Sequence, residues 1–142
     1  SDDMWMQGEI GEIAVNELLD NLEICANHEI PTLVAHTFIG FDSDNTPTEI
    51  GIERYGRLAK RATELGVRLA LENTEGEEYL GALLTAFKNE KAAGFCWDTG
   101  HEMCYNHSKD MTALYGDKLI CLSTCEYTLD NGRLVVVAKR ID

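Results

Sequence analysis

Asp98 and His101 stand three residues apart, across a glycine, in Gly94-Phe95-Cys96-Trp97-Asp98-Thr99-Gly100-His101-Glu102. An apolar run ends in the acid and the imidazole follows. A carboxylate and a histidine at the end of a buried strand suit a hard or borderline divalent metal. The design recurs upstream. Val67-Arg68-Leu69-Ala70-Leu71-Glu72 ends in Glu72, and Ile30-Pro31-Thr32-Leu33-Val34-Ala35-His36 ends in His36. Parallel α/β folds keep their active sites at the C-terminal ends of their strands. Glu72, Asp98, His101 and His36 are therefore the candidate metal-site residues. Mn²⁺, Mg²⁺, Co²⁺ and Zn²⁺ are the ions that such oxygen and imidazole donors fit.

The elements that would carry these residues alternate. Residues 9–28 read as an amphipathic helix, with Ile10, Ile13, Ala14, Leu18, Leu22 and Cys25 at helical spacing. Pro31 breaks it, and 30–36 read as a buried strand. A loop rich in Gly, Asp, Ser, Asn and Pro spans 39–48. A helix over 49–65 is closed by Gly66, a strand follows at 67–72, a helix at 75–90 and a strand at 93–98. A short helix at 108–115 and a strand at 118–123 complete the alternation. Helices and strands taking turns at this spacing predict parallel strands joined by crossovers. The end breaks the rule: 126–129 and 133–137 flank Asp130-Asn131-Gly132, which predicts a hairpin turning at Asn-Gly. The expected fold is α/β, a partial (β/α) TIM-barrel-like parallel sheet of about four βα units ending in a β-hairpin.

Composition bounds the partners. The chain has 142 residues, enough for one domain with a real core, and a formal net charge of −13. Such a surface repels phosphate backbones and anionic lipid, so neither nucleic acid nor membrane is the expected partner. The five cysteines, Cys25, Cys96, Cys104, Cys121 and Cys125, are odd in number and show no zinc-knuckle spacing. With no signal-peptide pattern and no long apolar span, reduced thiols in a cytoplasmic protein are the expectation. Trp5 and Trp97 read as packing residues. Trp97 alternates with Asp98, so the two point to opposite faces of their strand.

Residues from about 5 to 119 resemble the xylose-isomerase-like TIM-barrel superfamily, the sugar phosphate isomerases and epimerases related to endonuclease IV. The resemblance rests on Gly8-Glu9-Ile10-Gly11, Thr32-Leu33-Val34-Ala35-His36, Leu69-Ala70-Leu71-Glu72-Asn73 and Phe95-Cys96-Trp97-Asp98-Thr99-Gly100-His101-Glu102. It implies that Glu72 and Asp98 ligate a divalent metal at a barrel mouth, with His101 and His36 adjoining. It also implies that Glu72 doubles as acid/base and that the substrate is a small sugar or sugar phosphate. The match covers about four strands from the middle of a barrel. The family usually follows Gly-Asp-Lys-Leu with a strand that ends in a histidine ligand. Here Gly116-Asp117-Lys118-Leu119 leads instead into Ile120-Cys121-Leu122-Ser123-Thr124-Cys125.

Residues 120–142 carry a second resemblance. Leu122-Ser123-Thr124-Cys125-Glu126-Tyr127, then Gly132-Arg133-Leu134-Val135-Val136-Val137-Ala138-Lys139-Arg140, are similar to the catalytic end of a class B sortase. That would make Cys125 a transpeptidation nucleophile and Arg133 its oxyanion partner. The expected organisation is a partial barrel over 1–119 and a last strand plus hairpin over 120–142. Three functions compete: a metal-dependent sugar isomerase or epimerase with Glu72 and His101 in its catalytic set, a cysteine transpeptidase, and an inactive fragment. A partial sheet with open edges predicts a homo-oligomer in each case.

Overall fold

The computed structural model describes residues 2–39, 46–98 and 100–101, and the backbone of 120–126 and 132–138. These form α1 (Glu9–Asn27), β1 (Thr32–His36), α2 (Glu49–Leu65), β2 (Arg68–Glu72), α3 (Glu77–Ala86), β3 (Ala93–Asp98), β4 (Ile120–Glu126) and β5 (Gly132–Ala138), with a 3-10 turn at Asp2–Trp5 before α1. The strands lie in the order β1-β2-β3-β4-β5. Pairing is parallel from β1 to β4 and antiparallel between β4 and β5. The fold is thus α/β, a partial TIM-barrel-like sheet. The short helix expected at 108–115 falls outside the described residues, as does most of the loop at 39–48.

Local chemistry sets the element ends. The Thr48 hydroxyl accepts the Gly51 N–H at 3.3 Å, which caps α2. Gly66 ends that helix with a left-handed φ of 71°, as its position in the sequence announces. β1 starts at Thr32, later than expected, because the Ile30 N–H still bonds back to the Cys25 carbonyl at 2.8 Å as the chain leaves α1. α3 is shorter than expected. Gly76, at φ 75°, opens it, and Phe87 closes it with its N–H on the Leu83 carbonyl. The hairpin also differs. Its arms are the whole of β4 and β5, paired from Ile120↔Ala138 to Glu126↔Gly132. The expected turn at Asp130-Asn131 falls outside the described residues. The β-branched run Val135–Val137 pairs with Cys121–Ser123 of β4, so the first arm begins earlier than expected.

The sheet has two unlike faces. Leu33, Ala35, Leu69, Leu71, Ala93, Phe95 and Trp97 join the hydrophobic core with the helices, where Leu22 of α1, Leu58 of α2 and Leu83 of α3 are fully buried. Val34, His36, Ala70, Glu72, Cys96 and Asp98 alternate with them and so share the other face. The periodicity that builds the core thereby presents every candidate ligand of these strands on one side.

The N-terminal turn is tied down by a residue that patterning does not reveal. Arg54, inside α2, is 1% exposed. Its Nη1 donates to the carbonyls of Met4 at 3.1 Å, Met6 at 2.6 Å and Asp3 at 3.3 Å, and its Nη2 donates to Gly8 at 3.3 Å. Its Nε reaches Glu12 Oε1 at 3.0 Å. Only a guanidinium offers five donors in one rigid fork. Two glycines leave room for this docking. A Cβ on Gly11 would meet Arg54 Nη1 at 2.2 Å, and one on Gly51 would meet the Trp5 ring at 2.1 Å.

Truncating Arg54 to Ala strands four backbone carbonyls and should lower the unfolding free energy by about 3 kcal/mol in urea denaturation. Arg54→Lys should recover little of it. Glu12 supplies a pH test. Hydrogen bonds from Arg57, then Arg54, hold its carboxyl below the usual carboxylate range. A folded-state value below the unfolded one means its contribution is complete at neutral pH and is lost as pH falls through the folded value. Glu12→Gln should therefore flatten the acid limb of the stability profile. Identical acid limbs for the two proteins would refute the linkage.

Candidate metal centre

In-register parallel pairing brings the ends of β1 and β2 level, with His36 beside Glu72 and Glu72 beside Cys96. His36 Nε2 lies 2.9 Å from Glu72 Oε2, and His101 Nδ1 lies 3.8 Å from that same oxygen. The two imidazole rings meet edge to face at 5.5 Å. One donor atom from each of His36, Glu72 and His101 falls within 4.8 Å of the others. Glu72 is buried, whereas the His36 side chain remains 45% exposed. Cys96 Sγ lies 4.0 Å from Glu72 Oε1 and is buried beside the cluster.

Asp98, the last residue of β3, is buried. Its Oδ1 accepts the backbone N–H groups of Gly100 at 2.7 Å and His101 at 2.9 Å. The carboxylate thus holds the turn that carries His101. Asn73, buried and given no role by sequence reasoning, completes the frame. Its Nδ2 donates to the Asp98 carbonyl at 2.9 Å, and its Oδ1 accepts the Asp98 N–H at 2.5 Å. The Asn73 carbonyl lies 3.0 Å from His101 Nδ1. A carbonyl can only accept, so Nδ1 is the donor in this contact, which fixes the orientation of the ring. The one signal for Asn73 in the sequence is an amide directly after a buried strand.

The floor under His36 is equally fixed. The Tyr55 hydroxyl donates to the carbonyls of His36 at 2.7 Å and Thr37 at 3.2 Å, and Trp5 Nε1 donates to Thr37 at 2.7 Å. Burial pushes the Tyr55 phenol above its ordinary value, which keeps it a neutral donor. Thr74 Oγ1 accepts the Phe38 N–H and donates to the Phe38 carbonyl, locking the residues after β1 to those after β2. Phe38 stacks on Tyr79 at 4.0 Å, and Trp5 meets Tyr79 edge-on at 4.9 Å. Trp5 is therefore a packing residue, as expected, and Trp97 packs against the core on the face opposite Asp98. Cys125 and Arg133 belong to β4 and β5 and not to the three-residue cluster. The β4–β5 ladder sets them directly opposite one another.

No family model matches the chain. It is 31% identical over 115 residues to "Probable endonuclease 4" of Cenarchaeum symbiosum (strain A), covering 74% of this chain and 39% of that protein. It is 33% identical over 111 residues to "Probable endonuclease 4" of Nitrosopumilus maritimus (strain SCM1), covering 68% and 37%. The chain thus spans about two fifths of the length of these curated relatives. Among solved structures it resembles the TTHB071 protein from Thermus thermophilus, from a crystal soaked with ZnCl₂, at a TM-score of 0.55 and 31% identity over 67% of this chain and 41% of that one. It also resembles a xylose isomerase domain protein from Planctomyces limnophilus, at a TM-score of 0.50 and 17% identity over 61% and 32%, a likeness of fold. None of these four is a sortase. Among the described residues, no helix is long and apolar enough to cross a membrane.

If Asn73 holds the frame, Asn73→Ala removes two buried hydrogen bonds and should cost about 2 kcal/mol of stability. It should also change the ¹⁵N shifts of the His101 ring, which report its tautomer. Unchanged shifts in a destabilised variant would show that Asn73 supports the strand ends without orienting His101.

Proposed function

We propose that this chain carries one flank of a divalent-metal site of the xylose-isomerase-like and endonuclease 4-like kind. His36, Glu72 and His101 are its ligands, Asp98 stands beside them, and zinc is the best-matched ion. The observation that carries the reading is the convergence of two imidazoles and one carboxylate from three strand ends. That donor set is a zinc set, and it leaves a coordination position for substrate or water. A divalent ion bound there supplies a Lewis acid for a carbonyl or phosphoryl oxygen.

The protein's own groups do the rest. The Asp98–Asn73 frame aims His101, Tyr55 anchors the backbone at His36, and Glu72 is the carboxylate able to move a proton on a small sugar or sugar phosphate. Isomerase or epimerase chemistry is therefore the first reading. A second has its own support, since relatives above 30% identity are named endonucleases. A net charge of −13 weighs against a phosphate backbone as substrate. The transpeptidase reading stands last. It needs an imidazole beside the Cys125 thiol, and neither named relative nor either solved structure is a sortase.

Calorimetry with Zn²⁺, Co²⁺ and Mn²⁺ tests the site directly. Glu72→Gln or His36→Ala should weaken binding at least about tenfold, equivalent to 1.4 kcal/mol. Tight binding that survives both substitutions places the ion elsewhere. With metal added, ketose epimerisation lost in Glu72→Gln would support the sugar reading. Hydrolysis of a simple phosphodiester in its place would favour the second.

A further inference from the structure

Cys96 touches the metal cluster, and the chemistry above gives it no task. It is 1% exposed, and its Sγ lies 4.0 Å from Glu72 Oε1. The two oxygens of that carboxylate have different partners. Oε2 faces both imidazoles, with His36 Nε2 at 2.9 Å and His101 Nδ1 at 3.8 Å. Oε1 meets the thiol. An ionised carboxylate only accepts and a thiol is a weak donor, so in this contact the S–H donates to Oε1.

The backbone leaves this contact little freedom. Glu72 and Cys96 are register partners in the β2–β3 ladder and share one sheet face. The Asn73 N–H donates to the Cys96 carbonyl at 3.1 Å, and the Asn73 amide clasps both backbone groups of Asp98 just beyond. Cys96 is thus held in place along its strand, and a single staggered torsion sets its sulfur. The longer stem of Glu72 has more torsions, and on such a stem alone either oxygen, or both, could turn toward an ion.

We infer that Cys96 is a positioning residue that sets the ion preference of this site. The inference rests on the metal-site reading above. By holding Oε1, the thiol leaves Oε2 as the single carboxylate donor beside the two imidazoles. Three donors and one open position suit a tetrahedral zinc or cobalt ion. An ion that takes six oxygen-rich ligands, such as Mn²⁺ or Mg²⁺, would gain from Oε1 as a second oxygen and is denied it. The thiol acts through Glu72 and gives no electron pair to the ion.

Calorimetry on the full chain with Zn²⁺ and with Mn²⁺ tests this for wild type, Cys96→Ala and Cys96→Ser. Wild type should prefer zinc. Cys96→Ala removes the donor and should narrow the zinc-to-manganese affinity ratio at least about tenfold. Cys96→Ser keeps a hydroxyl donor and should hold the ratio within about threefold of wild type. An unchanged ratio in Cys96→Ala, an equal loss of both ions, or a Cys96→Ser protein that behaves like Cys96→Ala overturns the inference and leaves the metal site standing. A wild type that binds neither ion removes the metal-site reading and the inference together. The visible spectrum of Co²⁺-loaded wild type needs no variant. It should show the intense bands of four-coordinate cobalt, and the weak bands of six-coordinate cobalt would overturn the inference. So would a thiolate-to-cobalt charge-transfer band that disappears in Cys96→Ala, because the sulfur would then be a ligand itself.

Discussion

Everything at the candidate site depends on the level, parallel pairing of β1 with β2. Because His36 is the partner of Glu72, two side chains separated by 36 positions arrive next to each other on one sheet face. A slip of one residue would turn one of them into the helical layer. The apolar residues prevent that slip. Leu33, Ala35, Leu69 and Leu71 belong to the core, and moving either strand by one place would expose them. The packing that stabilises the sheet and the alignment that makes the cluster are the same constraint.

Around that pairing the protein uses main-chain groups as anchors. Tyr55 and Trp5 hold the carbonyls after β1, Thr74 holds Phe38, and Asn73 borrows both backbone groups of Asp98. Polar side chains buried this deeply are tolerated because each of these bonds gives them a partner. The strand ends are thereby rigid where ligands sit, while His36 keeps a route to solvent. Rigid donors with one open side suit a site that must accept a substrate.

Much of this was legible from residue order. Alternation of periods marked the helices and strands, Gly66 marked a helix stop, and ligand-type residues at the ends of apolar runs marked His36, Glu72 and the Asp98–His101 pair. The rest was hidden for physical reasons. Arg54 reads as one more charge on an amphipathic helix. Its partners lie up to 51 positions away, and nothing local announces a buried guanidinium. The hydrogen bonds that Asp98 accepts from the Gly100 and His101 backbone were not legible, since they depend on the turn that follows the strand. The first hairpin arm starts at Ile120, earlier than the sequence suggests, because pairing along a whole ladder is a collective property that no local pattern announces.

The contact between Gly11 and Arg54 carries a consequence for how this sequence can diverge. With Arg54 in place, any side chain at position 11 collides with its guanidinium. With Arg54 gone, the carbonyls of the N-terminal turn lose their donors, and glycine at position 11 is only a weak point in a helix. Each residue is acceptable only in the company of the other. Single changes at either position are therefore unfit steps. Homologous sequences should keep the pair or replace it whole, so covariation between positions 11 and 54 would identify distant relatives that dock their N-terminal turn in this way.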